Sequence, residues 1–198
     1  RGEVVHGHGE LAGMPFESFS PIGWTETGKT CLYLHGGGYV TCAPATHRGF
    51  IAELAVHTGM RCIAIDYRLA PEDPYPCALD DANRAIEALA TEGVATGDLW
   101  VGGDSAGGGL TLAVMLRRRS LGQSQPAGGI VLSPWVDLKG SGETIVTNAK
   151  YDYLPVPLLH TFSDYYRGQE AIDHPEVSPM YAELSGLPPL LMLTGGAE

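Results

Sequence analysis

Short apolar runs at residues 31–34, 61–66, 99–102, 129–132 and 190–193 are separated by stretches long enough to form a helix. That alternation constrains the fold more than any other feature. The runs are nearly continuous, so each strand must bury both of its faces. Parallel neighbours then need crossover connections, and the intervening helices supply them. The expected class is α/β: a mostly parallel sheet with helices on both faces. In such sheets ligands bind beyond the carboxyl ends of the strands. Three glycine-rich turns fall at those ends, at 36–38, 102–109 and 195–196.

The helices are legible from their apolar spacing. Residues 45–57 carry Phe50, Ile51, Leu54 and Ala55 and stop at Gly59, while 78–91 place Leu79, Ala82, Ile86 and Leu89 on one face. Residues 106–119 form the next helix, and 155–166 cluster Leu158, Leu159, Phe162, Tyr165 and Tyr166. The opening, 4–19, reads as a hairpin or two edge strands. Residues 1–198 form one domain, within which 140–183 lacks a clear strand, holds most of the tyrosines and is expected to be a lid or cap insertion over the strand ends.

Charge and cysteine content exclude several classes. Twelve Lys and Arg against 23 Asp and Glu leave a formal charge of −11, which opposes a nucleic-acid surface. The basic cluster Arg117, Arg118 and Arg119 ends a helix, where cations complement the dipole. No run approaches the roughly 18 apolar residues of a membrane span. Cys31, Cys42, Cys62 and Cys77 form no C-x-x-C pair. Cys31 and Cys62 read as buried thiols. No signal peptide is visible, which favours the cytoplasm.

One motif competes for attention. Residues 23–30, GWTETGKT, fit the phosphate-loop spelling, and 62–66 could pass for its companion strand. A phosphate loop, however, must open a helix whose first N–H groups face the anion. Here Thr30 leads into Cys31-Leu32-Tyr33-Leu34 and then glycines, so a strand-to-strand turn is expected.

The chemistry lies elsewhere. Gly103-Asp104-Ser105-Ala106-Gly107 fits G-x-S-x-G, after an apolar strand and before a helix. A serine on so sharp a turn takes strained backbone, and its Oγ stands clear of the sheet. Small residues two before and two after let the turn close. The helix N-terminus aims N–H groups, Ala106 among them, at a developing oxyanion. Upstream, His35-Gly36-Gly37-Gly38 also follows a strand. Glycines there let consecutive N–H groups converge on one point. Alone, the first motif could be a tight turn with Ser105 as helix cap, and the second a flexible loop. Both at strand ends, in this order, point to one site.

These residues resemble the hormone-sensitive-lipase family of α/β-hydrolases. The likeness rests on HGGGYV at 35–40, DYRLAPE at 66–72, YPCALDD at 75–81, GGDSAGGG at 102–109 and SPWVDL at 133–138, and extends through 178–198. It implies a serine carboxylesterase acting on short-chain acyl esters through an acyl-enzyme, with no metal, no organic cofactor and sometimes a homodimer. Ser105 would be the nucleophile; Gly37, Gly38 and Ala106 would supply the oxyanion hole. His35 would shape the glycine turn rather than act as base. Asp104 would bond loop backbone, and Asp66, Tyr67, Arg68 and Glu72 would brace the same loop. Asp80 and Asp81 read as first-turn helix acids, and His6 and His8 as exposed polar residues. Tyr39, Trp135 and the tyrosines of 151–166 could line the pocket or pack the core.

The family's order is Ser, then acid, then His. Its acid position falls on Glu198, and no histidine follows. His160 and His174 lie after Ser105 but read as a helix residue and a turn residue. Three explanations are open: a fragment cut short at both ends, a non-catalytic ligand-binding relative, or recruitment of one of those two histidines. The fragment is the expectation, because the final helix and strand of the fold would be missing with the base.

Overall fold

The computed structural model describes residues 3–26 and 28–196. The strands are β1 (Val4–Leu11), β2 (Met14–Pro21), β3 (Thr30–Leu34), β4 (Arg61–Ile65), β5 (Leu99–Asp104), β6 (Gly128–Leu132) and β7 (Leu190–Leu193). The helices are α1 (Pro44–Thr58), α2 (Cys77–Thr91), α3 (Ser105–Ser120), α4 (Thr144–Thr147) and α5 (Val156–Arg167). The strands form one sheet in the order β1-β2-β4-β3-β5-β6-β7. β1 and β2 are antiparallel, and β2 joins β4 antiparallel. From β4 to β7 every pairing is parallel. The hairpin closes through Ala12 and Gly13, with φ of 50° and 79°. Two consecutive positive φ values match the right-handed twist of the flanking strands.

The central strands bury both faces, as their unbroken apolar runs require. Leu32, Leu34, Ile63, Ile65 and Val101 pack with Leu79, Ala82, Ile86 and Leu89 of α2 and Leu110, Ala113 and Val114 of α3. The alternate residues Cys31, Tyr33, Cys62 and Ala64 pack with Ile51 and Ala55 of α1 on the other face. The two clusters follow the period of two along each strand. α1 ends at Gly59, whose φ of 71° closes a left-handed cap on the Ala55 carbonyl.

Some expected roles change. Phe50 is largely exposed and rests its ring 5.8 Å from that of Tyr33. Of the aromatic and aliphatic cluster on α5, only Tyr166 is fully buried, while Leu158 and Tyr165 stay partly in solvent. Asp81, read as a first-turn helix acid, instead lies just beyond the first turn of α2 and makes a buried ion-pair cluster. It is wholly buried and accepts bonds from the Arg68 amide, the Arg68 guanidinium and Arg84. Burial pushes its carboxyl up, but these donors outweigh that and hold it below its usual range. The three arginines ending α3 do more than complement a dipole. Arg117 pairs with Asp80 and Glu176, buried Arg118 with Glu87 and Asn83, and Arg119 donates to the carbonyls of Glu183 and Ser185. Together they tie α3 to α2 and to the segment leading into β7. Cys31 and Cys62 are buried free thiols, as read. No helix among the described residues is long and apolar enough to cross a membrane.

Ile86 is fully buried on α2, in the cluster that it shares with α3 and the central strands. Truncation to Ala removes three carbons from a tightly packed site, so Ile86→Ala is expected to cost about 2–5 kcal/mol. Urea unfolding should show a lower midpoint with an unchanged slope.

Candidate active site

The site is built where β5 and β3 end side by side. They are parallel neighbours in register, with Leu34 opposite Gly103. One residue beyond Gly103 the chain turns sharply into α3 through Ser105, whose φ is +49°. A non-glycine residue in the left-handed region is strained, and such strain collects at functional sites. The turn is possible only because backbone passes very close. A Cβ on Gly107 would drive into the carbonyl oxygen of Leu34, and one on Gly103 would meet the same oxygen. The small residues flanking Ser105 are therefore required by contact with the end of β3. On the far side, the Trp135 amide donates to the Ser105 carbonyl at 2.8 Å, tying the loop after β6 to the turn.

Two residues beyond Leu34 begins the glycine turn. Gly37 has a φ of 119°, and its carbonyl accepts the amides of Val40 and Thr41 at 3.1 and 3.0 Å. Gly38, at φ 64°, lies so close under the Phe162 ring of α5 that a side chain there would collide with it. Tyr39 is core rather than pocket lining: it is buried and stacked on Tyr166 at 3.6 Å between ring centroids. His35 is completely buried. Its Nδ1 lies 2.7 Å from the Gly36 carbonyl, and its ring stacks on Tyr67 at 4.3 Å. Burial pushes the His35 pKa down, so the ring is neutral. The Tyr67 hydroxyl donates to the His35 carbonyl at 2.6 Å. Asp66 and Glu72, grouped with Tyr67 and Arg68 in the sequence, are exposed.

Asp104 joins the two turns. Its Oδ1 accepts the Gly36 amide at 3.0 Å and the Tyr33 hydroxyl at 2.7 Å. Its third neighbour carries no motif and escaped the sequence reading: His47, in the first turn of α1, with Nε2 3.3 Å from Oδ1 and 3.4 Å from Oδ2. His47 Nδ1 meets Thr46 Oγ1 at 2.8 Å, and that hydroxyl donates to the Ala43 carbonyl at 2.7 Å. The Asp104 bond raises the His47 pKa against partial burial. Burial pushes Asp104 up, but His47, Tyr33 and the Gly36 amide outweigh it, so the carboxyl is held below its usual range.

Ser105 opens into a cleft of about 700 Å³. Ser133, Pro134 and Trp135 from the loop after β6 line one wall, with Gly195 and Gly196 beyond β7. Asn148, Tyr151, Asp152, Tyr153, Leu154 and Leu159 line the rest. Tyr151 and Tyr153 are 78% and 88% exposed, so solvent reaches them freely. Among the described residues, no histidine lines the cleft. His160 is exposed on α5, and His174 accepts the Glu176 amide at its Nδ1 beside the Tyr75 ring. Glu198, expected as the acid, lies outside the described residues. His6 pairs with Glu17 at 2.8 Å and stacks on Phe19. The phosphate-loop spelling sits between β2 and β3. Thr27 is outside the described residues, but Lys29 accepts the Trp24 indole N–H and the Arg61 amide on its carbonyl, and Thr30 already belongs to β3. The helix that a phosphate loop must open is not there.

A serine on a strained strand-to-helix turn, beside a glycine turn at the end of the neighbouring strand, defines an α/β-hydrolase site. The family model for the alpha/beta hydrolase fold matches residues 31–198. The chain belongs to that family, within its hormone-sensitive-lipase group. It is 37% identical over 174 residues to an acetyl-hydrolase of Streptomyces hygroscopicus, covering 87% of this chain and 58% of the relative. An esterase of Acinetobacter venetianus is 36% identical over 169 residues, covering 84% of this chain and 56% of the relative. An esterase crystal structure from the bacterial hormone-sensitive lipase family superposes with a TM-score of 0.95 at 38% identity, over 99% of this chain and 66% of that one. The chain thus spans a little over half the length of the first two relatives.

The charged contacts of Asp104 and His47 have opposite pH limits. Asp104, lowered from 3.8, stabilises the fold above that value and loses its contribution as pH falls through the folded pKa. His47, raised from 6.5, stabilises below that value and loses its contribution as pH rises through the folded pKa. The stability difference between the native chain and His47→Gln should therefore be largest from 3.8 to 6.5 and shrink at higher pH. Urea midpoints across this range check it.

Proposed function

We propose that this chain carries the nucleophile and oxyanion hole of a serine carboxylesterase. The observation that carries the reading is the φ of +49° at Ser105, on a turn aimed into an open cleft. Holding a serine there costs about 1–3 kcal/mol. A ligand-binding scaffold has no use for that strain, whereas a nucleophile needs its Oγ clear of the sheet.

The chemistry follows from the geometry. Ser105 Oγ attacks the ester carbonyl carbon and gives up its proton to a general base. The carbonyl oxygen becomes an anion facing the Gly37, Gly38 and Ala106 amides. The first-turn amides of a helix have no intrahelical acceptor, so the Ala106 N–H is open to this use. Collapse expels the alcohol and leaves an acyl-serine, which water hydrolyses by the reverse sequence. The acid that orients the base is assigned to Glu198. No histidine is among the residues that line the cleft, which supports assigning the base to none of the seven histidines in this chain.

Several features support short acyl groups. One relative is named an acetyl-hydrolase. A structural neighbour, EstE5, was soaked with p-nitrophenyl butyrate; it matches with a TM-score of 0.93 at 37% identity over 99% of this chain and 66% of that one. The 140–183 segment, whose residues from Asn148 to Leu159 wall the cleft, is proposed to act as a lid over the ester.

In the intact protein, a fluorophosphonate probe should label Ser105. Ser105→Ala should abolish labelling and lower hydrolysis of p-nitrophenyl acetate by more than about a thousandfold. Labelling that persists in Ser105→Ala would sink the assignment. Butyrate should be cleaved faster than laurate, and the reverse order would overturn the short-chain reading.

A further inference from the structure

We infer that His47 is a positioning residue for the oxyanion turn: by holding the Asp104 carboxylate in place, it sets where the glycine turn after β3 presents its amides. The kinetic part of this inference rests on the esterase reading; the structural part does not.

The chain of contacts is short. His47 lies on α1, Asp104 at the end of β5, and Gly36 just beyond β3. One carboxylate thus links α1, the end of β5 and the turn after β3. Asp104 Oδ1 takes both the Gly36 amide and the Tyr33 hydroxyl. With those two donors alone, the carboxylate could pivot about Oδ1. His47 Nε2 spans both oxygens at 3.3 and 3.4 Å and removes that freedom. The distances are long for a hydrogen bond, so charge carries much of the attraction.

The cation is placed on His47 by its surroundings. The groups facing it are Asp104 from β5, Tyr33 from β3 with ring centroids 6.2 Å apart, His35 after β3 at 5.7 Å, and the Thr46 hydroxyl from α1. Tyr33 is held neutral by burial and by Asp104. His35 is held neutral by burial, and the His47 charge reinforces this. The Thr46 hydroxyl spends its proton on Ala43, which leaves its lone pair for an N–H at His47 Nδ1. Both ring nitrogens therefore face acceptors, the pattern of an imidazolium. The position opposes this, since a cation in the first turn of a helix meets the positive end of the dipole. A cation kept there in spite of the dipole has the Asp104 carboxylate as its reason.

The geometric consequence is specific. Gly36 immediately precedes the two glycines assigned to the oxyanion hole. An amide that drifts by a fraction of an ångström weakens the transition state more than it weakens the bound ester. Losing one oxyanion donor costs about a hundredfold or more, and loosening donors that remain present should cost less, about tenfold.

The test compares the full-length protein with His47→Ala, His47→Gln and, as a control on the same helix, the exposed His57→Ala. His47→Ala should lower kcat on p-nitrophenyl acetate by about tenfold while KM changes by less than about twofold. His47→Gln can still donate from its amide nitrogen but carries no charge, so it should recover only part of the loss near neutral pH. Amide hydrogen exchange of the peptide spanning 35–41 should quicken in His47→Ala, return toward the native rate in His47→Gln and stay unchanged in His57→Ala. A His47→Ala variant with native kcat and native exchange overturns the proposal. So does a loss that appears in KM and kcat alike with unchanged exchange, or one that His57→Ala reproduces. Should the unaltered protein fail to label at Ser105, the esterase reading falls, and the exchange comparison still decides whether His47 holds the turn.

Discussion

The parallel pairing of β3 with β5 is the constraint on which the site depends. The two strands are far apart in the chain, with α1, β4 and α2 between them, yet they end side by side. Their spacing is set by backbone hydrogen bonds at about 4.8 Å, not by any side chain at the site. Everything that follows each strand is thereby placed. Beyond Leu34 comes the glycine turn, and beyond Gly103 comes the elbow. Their closeness explains why Gly107 cannot carry a side chain: the carbonyl of Leu34 already occupies that space.

Around this pairing, charge does local work rather than global work. The net −11 says little about an ester. The individual carboxylates matter more. Asp104 bridges the two turns, Asp81 anchors Arg68 and Arg84, and Glu176 with Asp80 receives Arg117. Each is paired, as a carboxylate removed from water must be. The first serves the site; the others brace the helices that bury the sheet.

Much of this was legible beforehand because it depends on period and on turns. Unbroken apolar runs announce the central strands, buried on both faces, although the run of β7 lies at the sheet edge with Leu191, Met192 and Leu193 exposed; Gly59 marks the end of α1 by the left-handed cap it forms. The two glycine motifs could be read because the chemistry demands small residues at fixed spacing. The misreadings share one cause. Asp81, Arg117 and Arg118 look like solvated helix residues in one dimension, but helix packing turns them toward distant partners. The phosphate-loop spelling, by contrast, could be set aside from the sequence alone, since the same letters between two strands present no helix N-terminus.

The sequence by itself determined the class: an α/β sheet, a serine on a strand-to-helix turn, and a glycine turn that answers it. These follow from short-range rules, because hydrophobic period and backbone sterics act over a few residues. Only the tertiary structure decided which groups meet. It brought His47 to Asp104 across fifty-seven positions, set Phe162 over Gly38, and put the exposed tyrosines of the 148–159 segment beside Ser105. Those contacts depend on strand order and helix docking, which summed long-range packing selects and no local pattern encodes.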